Sequence, residues 1–133
     1  FGYDANTSTL PINHQLFLKQ FNLIQKLASE KSCIFVGRAA DYALRDYDNV
    51  VNIFIHADFE FRRKRAIEEH GILSQKSASI VKKIDKERSS YYKYYTDSSW
   101  GDAKNYHICL DTGFMGIDEA VRIIIDFIER KYK

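Results

Sequence analysis

The chain has 133 residues, of which 45% are hydrophobic, 14% aromatic and 29% charged, and its formal net charge is +2. That is enough apolar material for a continuous core, which excludes a disordered chain, and a balance too near neutral for wholesale nucleic-acid or membrane binding. With no signal peptide and no apolar run long enough to span a bilayer, a cytoplasmic location is the simpler expectation.

Residues 1–10 are polar and turn-like, and Pro11 stands where a first helical turn accepts it. Phe17, Phe21, Ile24 and Ala28 then repeat at helical spacing to about Glu30. Residues 33–36 read as a short buried strand ended by Gly37, residues 39–44 as a short helix, and residues 50–55 as a second strand rich in β-branched side chains. Asp58 is placed to cap a helix running to about His70, and Gly71 to end it. After a linker at 71–76, Ser77 reads as the cap of another helix, which carries Ile80, Val81 and Ile84 on one face and continues into Tyr91, Tyr92, Tyr94 and Tyr95. Residues 106–110 form the third predicted strand, and Ile117, Val121, Ile124 and Ile128 mark an amphipathic final helix.

This alternation, free of repeats and low-complexity runs, predicts a single domain over residues 1–133 with an α/β fold, a parallel sheet with flanking helices. Ligands of such sheets bind beyond the carboxyl ends of the strands, where Gly37-Arg38, His56 and Asp111-Thr112 fall. Cys33 and Cys109 sit inside apolar runs and are expected to behave as small buried hydrophobes. The four histidines show no metal-ligand spacing with them, so no protein metal site is predicted.

Charge is unevenly spread. Residues 62–93 hold ten of the twenty Lys and Arg residues against four Asp or Glu, an excess that suits a polyanionic ligand. Arg38 follows a glycine at a strand end, where a planar guanidinium can grip a phosphate through two hydrogen bonds; the alternative is a surface arginine paired with Asp41 or Asp46. Arg62 and Arg65 lie one helical turn apart, and the alternative for them is a solvated basic face with Arg63 and Lys64. Asp85 and Arg88, also one turn apart, can pair with each other and aim the guanidinium at a transferring phosphate, or form an ordinary helix ion pair. Lys82 and Lys83 add positive charge nearby. No nucleophile and base stand at suggestive spacing, which fits a reaction run by positioning and electrostatics. The tyrosine-rich stretch reads as a packed helix face, since no RNA-binding motif accompanies it.

Three runs carry a resemblance: Ser32-Cys-Ile-Phe-Val-Gly-Arg-Ala-Ala-Asp-Tyr-Ala-Leu44, Lys83-Ile-Asp-Lys-Glu-Arg-Ser-Ser-Tyr-Tyr-Lys-Tyr-Tyr-Thr96, and Trp100-Gly-Asp102 with Asn105-Tyr106. In combination they resemble the cytidylate kinase-like family, over roughly residues 10 to 129. The resemblance implies a P-loop kinase-like fold and transfer of the ATP γ-phosphate to a nucleoside monophosphate, CMP or dCMP, with Mg2+. It implies catalytic roles for Arg88 and Asp85, acceptor binding by Arg38, Asp41 and Lys82, and ATP contacts by Arg62, Arg65 and Thr112. Two positions depart from the classical enzymes: Ala39 stands where they carry an acidic residue, with Asp41 close by, and Val81 stands where they carry an arginine. The linker at 71–76 would be the lid that excludes water, or simply a helix-helix connection.

No stretch of the sequence carries the Gly-rich, Lys-containing phosphate loop. The chain is therefore expected to be the middle and C-terminal part of such a domain, with an incomplete sheet. The phosphate-loop strand would be missing between the strands at 33–36 and 50–55, to be supplied by an N-terminal segment or a partner chain. Alone, these residues are expected to be inactive. The rival readings are a non-catalytic nucleotide- or anion-binding kinase relative and an RNA-binding domain.

Overall fold

The computed structural model describes residues 11–133; the segment 1–10, read above as turn-like, lies outside the described residues. Two compact units are present, one ending at Val50 and the other beginning at Val51.

In the first unit, α1 spans Ile12–Glu30 directly after Pro11, and α2 spans Ala40–Ala43. The helical repeat seen in the sequence turns Phe21 and Ile24 inward, where they meet Ala40, Ala43 and Leu44, with Phe17, Ala28 and Tyr42 around the rim. Burying side chains of this size contributes roughly 1.5–3 kcal/mol each. The Gln25 side-chain amide donates to the Ala43 carbonyl at 3.0 Å and so ties the two helices together through a polar contact as well.

The predicted strand at 33–36 does not form. These residues have no regular secondary structure, and Ile34 and Val36 are 95% and 89% exposed. A strand needs a ladder partner for its N–H and C=O groups, and among the described residues nothing pairs with this segment. Cys33 and Cys109 are both exposed free thiols, contrary to the buried positions expected.

In the second unit, β1 (Ile53–His56) and β2 (Ile108–Asp111) pair in parallel, with Ile53 opposite Ile108 and His56 opposite Asp111. Between them come α3 (Phe59–Glu68), α4 (Ser74–Thr96) and a short 3-10 turn (Ala103–Asn105); α5 (Thr112–Met115) and α6 (Ile117–Lys131) follow. The architecture is mixed α/β, a two-stranded parallel sheet with flanking helices. Phe54 on β1 is covered by Trp100, edge-on at 5.5 Å, and by Tyr106 at 4.9 Å. Gly101 passes so close that a Cβ there would lie 3.2 Å from the Phe54 ring.

Asp58 caps α3 as predicted, its carboxylate accepting the Phe61 N–H at 2.9 Å. Gly71, at φ +67°, reverses the chain, and the Ile72 N–H reaches back to the Ala66 carbonyl at 3.1 Å, a glycine-terminated helix end. The connection to α4 is thus a tight helical hairpin at residues 69–73, with no free-standing lid loop. Ser77 is not a cap. α4 starts at Ser74, and Ser77 lies inside it with no exposed surface, beside the buried Val81. In α6, Ala120 is buried and the acidic first turn and basic last turn suit the helix dipole. Of the stripe read as core, Ile117, Val121 and Ile128 stay more than a third exposed. Among the described residues no helix is long and apolar enough to cross a membrane.

Candidate phosphate-binding site

The carboxyl ends of the two parallel strands meet at His56 and Asp111. Asp111 turns back to accept the N–H groups of Gly113 and Phe114 at 3.0 and 3.1 Å, which starts α5. Thr112 is buried and its hydroxyl donates to the His56 carbonyl at 3.4 Å. Through this bond Thr112, expected to contact ATP, joins β1 to the β2–α5 junction.

The cationic residues converge on the α3–α4 hairpin. Arg62 leaves the first turn of α3, donates from Nε to the Ala57 carbonyl at 2.9 Å, and places Nη1 2.8 Å from both carboxylate oxygens of Asp85 on α4. Asp85 is thus the partner of Arg62 and not of Arg88, because the packed hairpin brings an α3 guanidinium closer than the next turn of α4 does. The Arg62 guanidinium carbon and the Lys82 ammonium lie 5.9 and 5.5 Å from the centre of the Phe59 ring, so two cations share one aromatic neighbour.

Arg88 occupies the stripe of α4 that carries the buried Ser77, Val81 and Tyr92, seven residues after Val81 and four before Tyr92. It is nonetheless exposed, and among the described residues it makes no hydrogen bond or ion pair.

Arg65 lies on a different aspect of α3. Its Nη2 donates to Glu69 at 2.5 Å, and its Nε is shielded from solvent without a partner. This hydrogen bond pulls the Glu69 carboxyl below its ordinary pKa and raises that of Arg65. Both residues line a cleft of about 310 Å³ with Phe61, Lys64, Glu68, Ile117 and Asp118. The i,i+4 spacing of Arg65 and Glu69 is the sequence signal for that pair. Arg63 is more than part of a solvated basic face: it bridges Glu60 at 2.9 Å and the Ser77 hydroxyl at 3.3 Å and so helps lock α3 to α4.

In the first unit, Gly37, Arg38 and Ala39 have φ of +70°, +58° and +53°, three left-handed residues in succession. L-residues resist this conformation by about 1–2 kcal/mol each, and such strain collects at functional turns. Arg38 is exposed at the apex and pairs with neither Asp41 nor Asp46 among the described residues; Asp41 is half-buried in the first turn of α2. The Tyr91, Tyr94 and Tyr95 rings pack on one another at 4.8 and 4.9 Å, while Tyr92 is buried, as expected for a packed helix face.

The cytidylate kinase-like family model matches residues 2–113, and the chain belongs to that family. It is therefore kinase-related. A crystal structure of an uncharacterized protein from Eubacterium ventriosum ATCC 27560 superposes with a TM-score of 0.82 at 35% identity, covering 88% of this chain and 74% of that one. None of the curated proteins matches the sequence.

Proposed function

We propose that the protein is a nucleoside monophosphate kinase-like phosphotransferase that moves the γ-phosphoryl group of ATP to CMP or dCMP, within the P-loop kinase-like arrangement its family implies. The observation that carries this reading is the family match over residues 2–113, with Arg88 exposed and unpaired on α4 one turn after Asp85. Phosphoryl transfer passes through a loose transition state with charge spread over three equatorial oxygens, and a preorganised arginine stabilises that charge. Arg88 is the group assigned that task. Arg62 and Lys82, flanking Phe59, hold phosphate oxygens with Asp85 beside them. Arg38, displayed by its left-handed turn, grips the acceptor phosphate, and Asp41 contributes to acceptor recognition.

The cleft beside Arg65 has the chemistry for a purine. Phe61 and Ile117 supply apolar walls, and the Arg65 guanidinium offers a flat face. ATP would supply the transferred group. Mg2+ in such reactions rides on substrate phosphates with one or two carboxylates. Among the described residues no group of three or more His, Cys, Asp or Glu could hold a metal ion, and none of the roles assigned to this chain's residues depends on one.

A second reading, a relative that binds nucleotide without turnover, is favoured by one observation: the sequence contains no Gly-rich, Lys-containing loop to cradle the β- and γ-phosphates. The test is ADP formation from ATP and Mg2+ with each nucleoside monophosphate in turn, by the 133-residue chain and by a form extended upstream. CMP-dependent ADP from the extended form supports the kinase reading. Nucleotide binding without ADP in either form establishes the binding relative, and absence of binding refutes both.

A further inference from the structure

We infer that Asp85 acts through Arg62: it is a positioning residue that fixes the Arg62 guanidinium so that its open Nη2 is presented to a polyphosphate. The inference deepens the phosphate-binding role proposed above and rests on it. Of the five N–H groups of an arginine, the one on Nε goes to the Ala57 carbonyl, and Nη1 sits 2.8 Å from both oxygens of Asp85. Nη2, with two N–H groups, has no partner among the described residues. The side chain is therefore held at Nε and Nη1 and open at Nη2. Arg62 comes from α3 and Asp85 from α4, so the clamp also spans the hairpin.

Charge counting points the same way. Arg62 and Lys82 flank the Phe59 ring, and Asp85 neutralises only one of these two cations. The remaining positive charge and the open Nη2 suit an anion with several oxygens, a triphosphate above all. Both members of the ion pair are about a third exposed, at 34% and 33%, so a ligand can reach the guanidinium without unfolding anything.

The sign of one substitution separates this role from simple electrostatics. Asp85→Asn removes a negative charge next to a phosphate site, and charge alone would tighten anion binding. Loss of positioning would instead weaken it. In titrations with MgATP, CMP and inorganic tripolyphosphate, Asp85→Asn is expected to weaken ATP and tripolyphosphate about tenfold and leave CMP within about twofold. Asp85→Glu should restore part of the loss. Combined with Arg62→Ala, Asp85→Asn should have no further effect, since a positioner has nothing left to position. Tighter or unchanged tripolyphosphate binding by Asp85→Asn, or additive losses in the double variant, would overturn the inference. So would wild-type protein that binds no tripolyphosphate. Wild-type protein that binds tripolyphosphate with the expected cycle but forms no ADP in any form removes the kinase reading and leaves the positioning role standing.

Discussion

Asn52 and His107 exchange two hydrogen bonds of 2.8 Å: the Asn52 N–H donates to His107 Nδ1, and the His107 N–H donates to the Asn52 carbonyl. The pair lies one residue ahead of the β1–β2 ladder and extends it at the end away from the strand carboxyl termini. With two paired strands among the described residues, such an extra rung is a sizeable share of the pairing. His107→Ala is expected to lower unfolding free energy by about 1 kcal/mol, the net worth of one hydrogen bond, as measured by chemical denaturation. An unchanged midpoint and slope would show that water replaces the imidazole at no loss.

Arg88→Ala separates function from stability. The side chain is exposed and has no partner among the described residues, so its removal should shift unfolding by less than about 0.5 kcal/mol. If it is the catalytic cation, kcat in a catalytically competent form falls by at least about a hundredfold. Arg88→Lys should recover little, because an ammonium lacks the planar fork. Near-normal turnover by Arg88→Ala at saturating nucleotide would remove Arg88 from the site.

Ser77 tests the packing of α3 on α4. It has no exposed surface, donates to the Ser74 carbonyl at 2.7 Å and meets Arg63 at 3.3 Å. Ser77→Leu must force the helices apart and is expected to destabilise by about 1–3 kcal/mol, with weaker phosphate binding because Arg62 and Asp85 separate as well. Ser77→Ala should be mild, since Arg63 keeps Glu60. Equal stability of the leucine and alanine variants would mean the hairpin has slack at this point.

Arg38→Gly removes a side chain and relieves a left-handed residue. Glycine adopts φ +58° without penalty, so the variant is expected to be as stable as the parent or up to about 1 kcal/mol more stable, despite losing a functional group. CMP binding, followed by calorimetry, should fall at least about tenfold. A stable variant with undiminished CMP affinity would assign the strain at this turn to folding alone.

Glu69 gives the pH prediction. Its folded-state pKa is lowered by the hydrogen bond from Arg65, so the stability it contributes is present above the unfolded carboxylate pKa and disappears as pH falls through the lower folded value. The difference in Tm between the parent and Glu69→Gln should therefore be small, constant near neutrality, and vanish on acidification. A difference that widens at low pH would contradict the assigned direction.

Local elements were largely legible in the sequence because their causes are local. The 3.6-residue repeat of Phe17, Phe21 and Ile24 set α1, Asp58 and Gly71 bounded the turn of α3, and β-branched residues marked β1. The same logic failed at residues 33–36. Their apolar run is strand-like in composition, but a strand is completed only by a ladder partner, which lies outside any local window. Ser77 is no cap for a related reason: a serine's preference for helix starts yields when a tightly packed helix pair needs a small buried residue.

The sequence by itself determined the family, through the Gly37-Arg38 and Asp85-Lys-Glu-Arg88 runs, and the concentration of positive charge between residues 62 and 93. Only the tertiary structure decided which charge meets which. Spacing of one turn offered Asp85 to Arg88, yet Asp85 binds Arg62, 23 residues earlier, because the hairpin at Gly71 folds α3 onto α4. An ion pair forms with whichever guanidinium the backbone delivers within about 3 Å, and that delivery is a property of helix packing, which no sequence spacing encodes.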